Sequence, residues 1–272
     1  MKVLNYGSLN VDYVYSVDHI IVGGETQHSS KLEVFSGGKG LNQSIALAKA
    51  GVTVYHAGIV GTDGVILLDA CKEAGVNTKY IRRLPVKGGH TMIQVDKNAQ
   101  NCIILYGGTN QMQTKEFVDE VLADFGEGDY LILPSPFDDK LSTCDLSKVY
   151  LFLVNEIEGE QITGCKDKDQ ILDAMAARFP NARFVLTLGS DGAVYYDGKE
   201  KVFQDIFKVK AVDTTAAGDT FTGYFIAAVI EGRSIQEALR MAAKASSIAV
   251  SRPGATPSIP RADEVKKELG IL

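Results

Sequence analysis

Asp213-Thr214-Thr215-Ala216-Ala217-Gly218-Asp219 runs straight into an apolar stretch, 220–230, that reads as a helix. Residues this small let the backbone turn tightly, so the N–H groups of Ala216, Ala217 and Gly218 can converge on one point. A helix beginning there adds the positive end of its dipole, and together they make an anion site. Asp219 falls in the first turn. A carboxylate beside an anion cradle suits taking a proton from a hydroxyl that attacks a phosphate. An Asp in that place also serves as a plain helix cap. The Gly and the paired Ala beside it favour the chemical reading.

Two further clusters carry polar groups next to glycine. Ser36-Gly37-Gly38-Lys39-Gly40-Leu41-Asn42-Gln43 leads into an Ala-rich helix, where bare backbone allows close approach of a ligand and Lys39 and Asn42 add polar handles. The spacing is not that of a P-loop, and a structural turn would look the same. Asn10-Val11-Asp12 follows Gly7-Ser8 at the end of the first strand-like run. Ligands bind at that end of parallel α/β sheets. The pair could hold sugar hydroxyls or simply start a turn.

The elements that must position these groups alternate between Val/Ile/Leu-rich runs and helical patterns, as in an α/β chain with a mainly parallel sheet. Strands are expected at 3–6, 52–57, 130–133, 150–154 and 184–188, and a hairpin over 193–202 turning at Asp197-Gly198. Helices are expected at 40–51, 65–74, 168–179, 217–230, 235–250 and 262–269, the first two ending on Gly51 and Gly75. Segments 12–35 and 90–106 break the rhythm. They alternate polar and apolar residues, which predicts a small sheet wet on one face, or a pair of edge hairpins.

Composition bounds the function. A chain of 272 residues with 45% hydrophobic and 23% charged residues can bury a large core. Its net charge of −6, without a Lys/Arg block, argues against nucleic acid or an anionic membrane as partner. No run reaches the roughly 18 apolar residues of a membrane span, and no signal-like leader opens the chain, so a cytoplasmic location is expected. Cys71, Cys102, Cys144 and Cys165 lie far apart and read as reduced thiols. Gly58-x-x-Gly61-x-x-Gly64 has the wrong spacing for a dinucleotide fingerprint.

Taken in order, Gly7-Ser8-Leu9-Asn10-Val11-Asp12, Gly37-Gly38-Lys39-Gly40-x-Asn42, Asn155-Glu156-Ile157-Glu158 and 213–219 resemble the motif set of the ribokinase (PfkB) family of sugar kinases. Thr187-Leu188-Gly189-Ser190-x-Gly192 and the tail 249–258 agree with that resemblance. It implies a ribokinase-like three-layer α/β/α sandwich with a mainly parallel central sheet, spanning 1–272 as one domain. A small β-sheet lid from 12–35 and 90–106 would also form a homodimer contact. The implied reaction is ATP-dependent phosphorylation of a sugar primary hydroxyl, D-ribose to its 5-phosphate. Other acceptors of the same family (fructose, a keto-deoxy sugar acid, a nucleoside) and a non-catalytic sugar or nucleotide sensor are the alternatives.

The same resemblance assigns roles. Asp219 is the base, and the backbone of Ala216, Ala217 and Gly218 forms the anion hole. Asn10, Asp12, Gly38, Lys39 and Asn42 grip the sugar. Asn155 and Glu158 act near the triphosphate and Mg²⁺, while Thr187, Gly189 and Gly192 line the nucleotide pocket. Asp213, Thr215, Ala249, Arg252, Gly254 and Ser258 surround a monovalent cation, K⁺. One departure stands out. After Leu133-Pro134 the family pattern expects an acidic sugar contact, a helix and a further strand, about two dozen residues in all. An unresolved segment joined across a break is the favoured explanation here, with true deletion as the other.

Overall fold

The computed structural model describes residues 1–98, 100–134 and 146–271. It divides into two compact units, Met1–Pro134 with Pro253–Ile259, and Ser135–Arg252 with Pro260–Leu272.

In the first unit the aliphatic runs become four parallel strands. These are β1 (Val3–Tyr6), β4 (Val54–Val60), β5 (Asn77–Arg83) and β8 (Tyr130–Ile132), in the order β5-β4-β1-β8. Leu4, Ala57, Ile59, Tyr80, Phe117 and Val121 form a shared core beneath them. Helices α1 (Lys39–Lys49), α2 (Val65–Ala74) and α3 (Lys115–Leu122) belong to this unit. Gly75 ends α2 at φ 83°, a left-handed cap that costs glycine nothing. Thr114 caps α3 by accepting from Phe117 N–H.

A second sheet in this unit has the order β3-β2-β6-β7. Its strands are β2 (Asn10–Ser16), β3 (Lys31–Gly37), β6 (Gly89–Val95) and β7 (Asn101–Tyr106). β2 runs parallel to β6 and antiparallel to β3. Register pairs Asn10 with Gly37 on one side and with Gly89 on the other. That pairing brings the end of β3 and the start of β6 beside the first polar motif.

The second unit is built on β9 (Leu151–Asn155), β10 (Arg183–Thr187), β11 (Ala193–Tyr196) and β12 (Lys201–Gln204), in the order β12-β11-β10-β9. β9 and β10 are parallel, and β11–β12 is the expected hairpin, with Gly198 at φ 87° in its turn. Helices α4 (Glu156–Thr163) and α5 (Lys168–Arg178) cover it through Ile162, Ile171, Leu172 and Met175. Helix α6 (Ala217–Ile230) packs on α7 (Ile235–Val250) and buries Phe221, Tyr224, Phe225 and Ile226, so it is an interior helix rather than an amphipathic one. Helix α8 (Ala262–Glu268) follows.

The polypeptide runs continuously through its 272 residues. The segment expected after Leu133 is therefore absent from the chain, which corrects the reading of an unresolved stretch. Residues 135–145, with Cys144 among them, lie outside the described residues. Cys71, Cys102 and Cys165 are free thiols. No helix of the described residues is long and apolar enough to cross a membrane.

Candidate active site

The acceptor-type motifs fall together in the first unit. Asn10 and Asp12 open β2, each about 7% exposed. Thr91 on β6 donates its hydroxyl to Asp12 Oδ1 at 2.5 Å. Burial pushes the Asp12 carboxyl above the usual carboxylate range, and the Thr91 bond partly offsets this. The other carboxylate oxygen lies over Gly37, where an added Cβ would sit 1.9 Å from Oδ2. Gly37 is bare because Asp12 occupies the space.

The glycine run then turns the chain into α1. Gly38 adopts φ 98°, and a Cβ there would meet Ser8 O at 2.9 Å. Gly40 sits against Gly7 and Ser8, with Leu41 N–H donating to Ser8 O at 3.0 Å. Two glycine-bearing turns thus close on each other by backbone contact. No side chain caps α1; Lys39 opens it half-buried and Asn42 is buried one turn on. Beneath them Asn5, Ser44 and His56 form a sealed polar cluster.

The phosphoryl-type motif forms the start of α6 in the second unit. Asp213 Oδ1 accepts from Thr215 N–H at 2.9 Å and from the Thr215 hydroxyl at 2.5 Å, which fixes the turn. Ala217 N–H is engaged with Thr214 O at 3.2 Å, so of the three expected cradle residues it already has a partner. Ala216 occupies the cap position and contributes no side-chain cap. A Cβ on the exposed Gly218 would meet nothing within 4 Å, leaving its peptide open to approach. Asp219 lies in the first turn at 9% exposure.

Asn155 and Glu158 form a reciprocal capping box at the start of α4: Glu158 N–H donates to Asn155 Oδ1 at 2.8 Å and Asn155 N–H to Glu158 Oε2 at 3.0 Å. Part of the signal read as chemistry is thus helix capping. Thr187 ends β10; Gly189 (φ 53°) and Gly192 (φ 93°) shape the following turn, closed by Leu188 N–H to Gly192 O at 2.8 Å. Arg252 pairs with Glu264 through both terminal nitrogens, and Ala249 O accepts from Arg252 N–H at 3.0 Å. In the first unit Ser258 donates its hydroxyl to Ala255 O at 2.7 Å, and Gly254 takes φ 82°.

Sequence reasoning missed Thr91 and Asn110. The signal for Thr91 was present: period-2 alternation in β6 puts Gly89, Thr91 and Ile93 on the buried face. Asn110 lies in a 3-10 turn, Gly108–Gln111, with no periodicity to betray it.

A sequence profile described as pfkB family carbohydrate kinase matches residues 1–145 and 131–262. The chain is 31% identical to the ribokinase of Haemophilus influenzae over 295 residues, covering 95% of each. It is 32% identical to the ribokinase of Schizosaccharomyces pombe over 312 residues, covering 97% of this chain and 96% of that one. The solved structure of Arabidopsis thaliana ribokinase complexed with ribose and ATP superposes with a TM-score of 0.84 at 29% identity, over 98% of each chain. Both sequence alignments exceed the 272 residues of this chain, so these relatives carry residues that it lacks. The two profile matches meet at 131–145, where the sequence shows the shortfall. The fold is the ribokinase-like α/β fold, with a parallel sheet flanked by helices and additional mixed sheets. With its motifs in order and a profile match spanning nearly its full length, the chain belongs to the pfkB family of carbohydrate kinases.

Proposed function

We propose that this chain, acting as one catalytic domain over 1–272, transfers the γ-phosphoryl group of ATP to the primary hydroxyl of D-ribose. The observation that carries this reading is Asp219, a nearly buried carboxylate in the first turn of a helix whose leading peptides are left without a side-chain cap. An alcohol holds its proton too tightly for a carboxylate to remove it beforehand. Asp219 therefore orients the hydroxyl and accepts its proton late, a contribution of ~10²–10⁴-fold. The positive end of the helix dipole faces the charge that gathers there. The backbone at Ala216, Ala217 and Gly218 meets the charge spread over the phosphoryl oxygens, with Gly218 the most open of the three.

Asn10, Asp12, Gly38, Lys39 and Asn42 hold the sugar hydroxyls. The family pattern places an acidic sugar contact in the absent segment, so acceptor grip in this chain rests more heavily on these residues. Thr187, Gly189 and Gly192 line the nucleotide pocket. Asn155 and Glu158 act through water near the triphosphate, where Mg²⁺ would neutralise the phosphate charge. Asp213, Thr215, Ala249, Arg252, Gly254 and Ser258 offer a carboxylate, hydroxyls and carbonyls, a hard oxygen set that suits K⁺. K⁺ would fix the loop's shape outside the chemistry.

The sheet β3-β2-β6-β7 serves as the lid and, in a homodimer, as the contact between copies. The exposed Leu32, Val34, Met92, Ile103, Ile104 and Leu105 on its strands support this. The cytoplasm, where ATP is abundant, is the expected compartment.

A coupled ADP assay over D-ribose, 2-deoxy-D-ribose, D-fructose, a keto-deoxy sugar acid and adenosine tests the reading. D-ribose should give the highest kcat/KM. An absence of turnover with every acceptor of the panel would leave a non-catalytic sensor, and near-normal turnover in Asp219→Ala would remove the proposed base.

A further inference from the structure

Asn110 stands where the side-chain amide of Asn10 meets the backbone N–H and C=O of Leu9. Its Oδ1 accepts from Leu9 N–H at 3.0 Å, while its Nδ2 donates to Leu9 O at 3.3 Å and to Asn10 Oδ1 at 2.7 Å. A peptide N–H can only donate and a peptide carbonyl can only accept, so Leu9 dictates which end of the Asn110 amide faces which way. That orientation passes on. With Asn10 Oδ1 held by Asn110 Nδ2, the Asn10 NH₂ is the end left to meet a ligand.

The turn that delivers Asn110 is held from three sides. Thr109, fully buried, donates to Ile59 O at 2.8 Å, and Asn110 N–H donates to Gly107 O at 3.0 Å. Gly108 takes φ 50° with Gly88 O in the space of a Cβ. The two amides meet over Gly89, where a Cβ would lie 2.1 Å from Asn110 Nδ2 and 2.5 Å from Asn10 Oδ1. Bare backbone at Gly89 is what admits the contact.

We propose that Asn110 is a positioning residue for acceptor recognition, one that copies the polarity of the Leu9 peptide onto Asn10 so that the sugar meets a fixed donor at Asn10 beside the acceptor carboxylate of Asp12. The inference rests on the proposed role of Asn10 in sugar binding. A hydroxyl both donates and accepts, so a donor and a carboxylate side by side fit adjacent sugar hydroxyls. Two acceptors would fit them less well. If Asn10 were free to flip, each productive encounter would first have to select one amide orientation.

The test is a double-mutant cycle of Asn110→Ala and Asn10→Ala, read by steady-state kinetics and by calorimetric titration of D-ribose without ATP. Asn110→Ala should raise the KM and Kd for D-ribose on the order of tenfold, the worth of one well-placed hydrogen bond, and leave the KM for ATP within about twofold. In the Asn10→Ala background the same change should have no further effect on D-ribose, because its only route is through Asn10. Equal effects in both backgrounds, an unchanged D-ribose KM, or a parallel rise in the ATP KM would overturn the proposal. Asn110→Asp, which still accepts from Leu9 N–H, takes the place of Asn110→Ala if the latter does not fold. If the wild type ignores D-ribose and uses another acceptor of the panel, the proposed substrate falls. The cycle is then run with that acceptor and judged by the same ratios.

Discussion

The Ser44 hydroxyl and the His56 imidazole lie 2.8 Å apart, Oγ to Nδ1, and both are sealed from solvent. His56 Nε2 faces Gly7 O at 3.3 Å, and a carbonyl only accepts, so Nε2 carries the hydrogen and Nδ1 receives the one from Ser44. Ser44 in turn accepts from Asn5 Nδ2 at 2.9 Å, which also donates to Gly40 O at 2.9 Å. The cluster ties the Gly7 turn to the Gly40 turn from beneath.

Burial lowers the pKa of His56 from 6.5 to about 4. The unfolded chain therefore takes up a proton below pH 6.5 that the folded chain refuses until near pH 4. Stability is full above 6.5 and is lost as pH falls through this window. Between pH 7 and pH 5 the loss from this one group is about 2 kcal/mol. Denaturant titrations at the two pH values should show it, and His56→Gln should flatten the difference. An equally steep loss in the variant would assign the acid sensitivity elsewhere.

Gly37→Ala and Gly40→Ala should fail in different ways. At Gly40 a Cβ would meet Gly7 C and Ser8 N at 2.6 Å, backbone that cannot rotate away. Overpacking of that kind costs about 1–3 kcal/mol and should appear as a lower denaturation midpoint. At Gly37 the clash is with the Asp12 carboxylate, a side chain that can be pushed aside. That variant should stay folded while its KM for the acceptor sugar rises and its KM for ATP does not.

Asn155 separates capping from catalysis. Asn155→Ala should cost about 1 kcal/mol of stability through the lost cap. Asn155→Ser keeps a capping hydroxyl and should restore most of that, yet still show a raised KM for ATP if the amide also serves the triphosphate. Normal ATP kinetics in the Ser variant would leave Asn155 as a cap alone.

Potassium should raise turnover several-fold over sodium or a bulky organic cation at equal ionic strength. Asp213→Ala should flatten the response, since it removes both the carboxylate and the anchor of Thr215. A wild-type enzyme indifferent to the choice of cation would remove the proposed site.

Much of this was legible in the chain. Helices at 65–74, 217–230 and 235–250 fall where the apolar runs put them, the first stopped by Gly75, because the apolar residues of each segment decide the matter locally. The hairpin turning at Asp197-Gly198 is equally local. Helix Lys115–Leu122 was missed: it is short and only Phe117 and Val121 are buried, although Thr114 is a cap signal in plain view. Helix Glu156–Thr163 hid behind a motif, since its capping box coincides with residues read for chemistry. Asn5, Ser44 and His56 were illegible for another reason. Each is polar within a segment that reads as ordinary strand or helix, and only the contact of β1, α1 and β4 makes them one group.

Gly37, Gly38, Gly40 and Gly89 together mean that the surroundings of Asn10 and Asp12 are walled largely by peptide rather than by side chains. At Gly38 and Gly40, where the neighbour is itself backbone, such a wall resists gradual substitution, because the first added carbon meets atoms that cannot rotate away. Shifts in sugar preference among descendants of this chain would thus have to enter from behind the wall, at places such as Thr91 and Asn110, where an exchange alters how a group is held before it alters the room available.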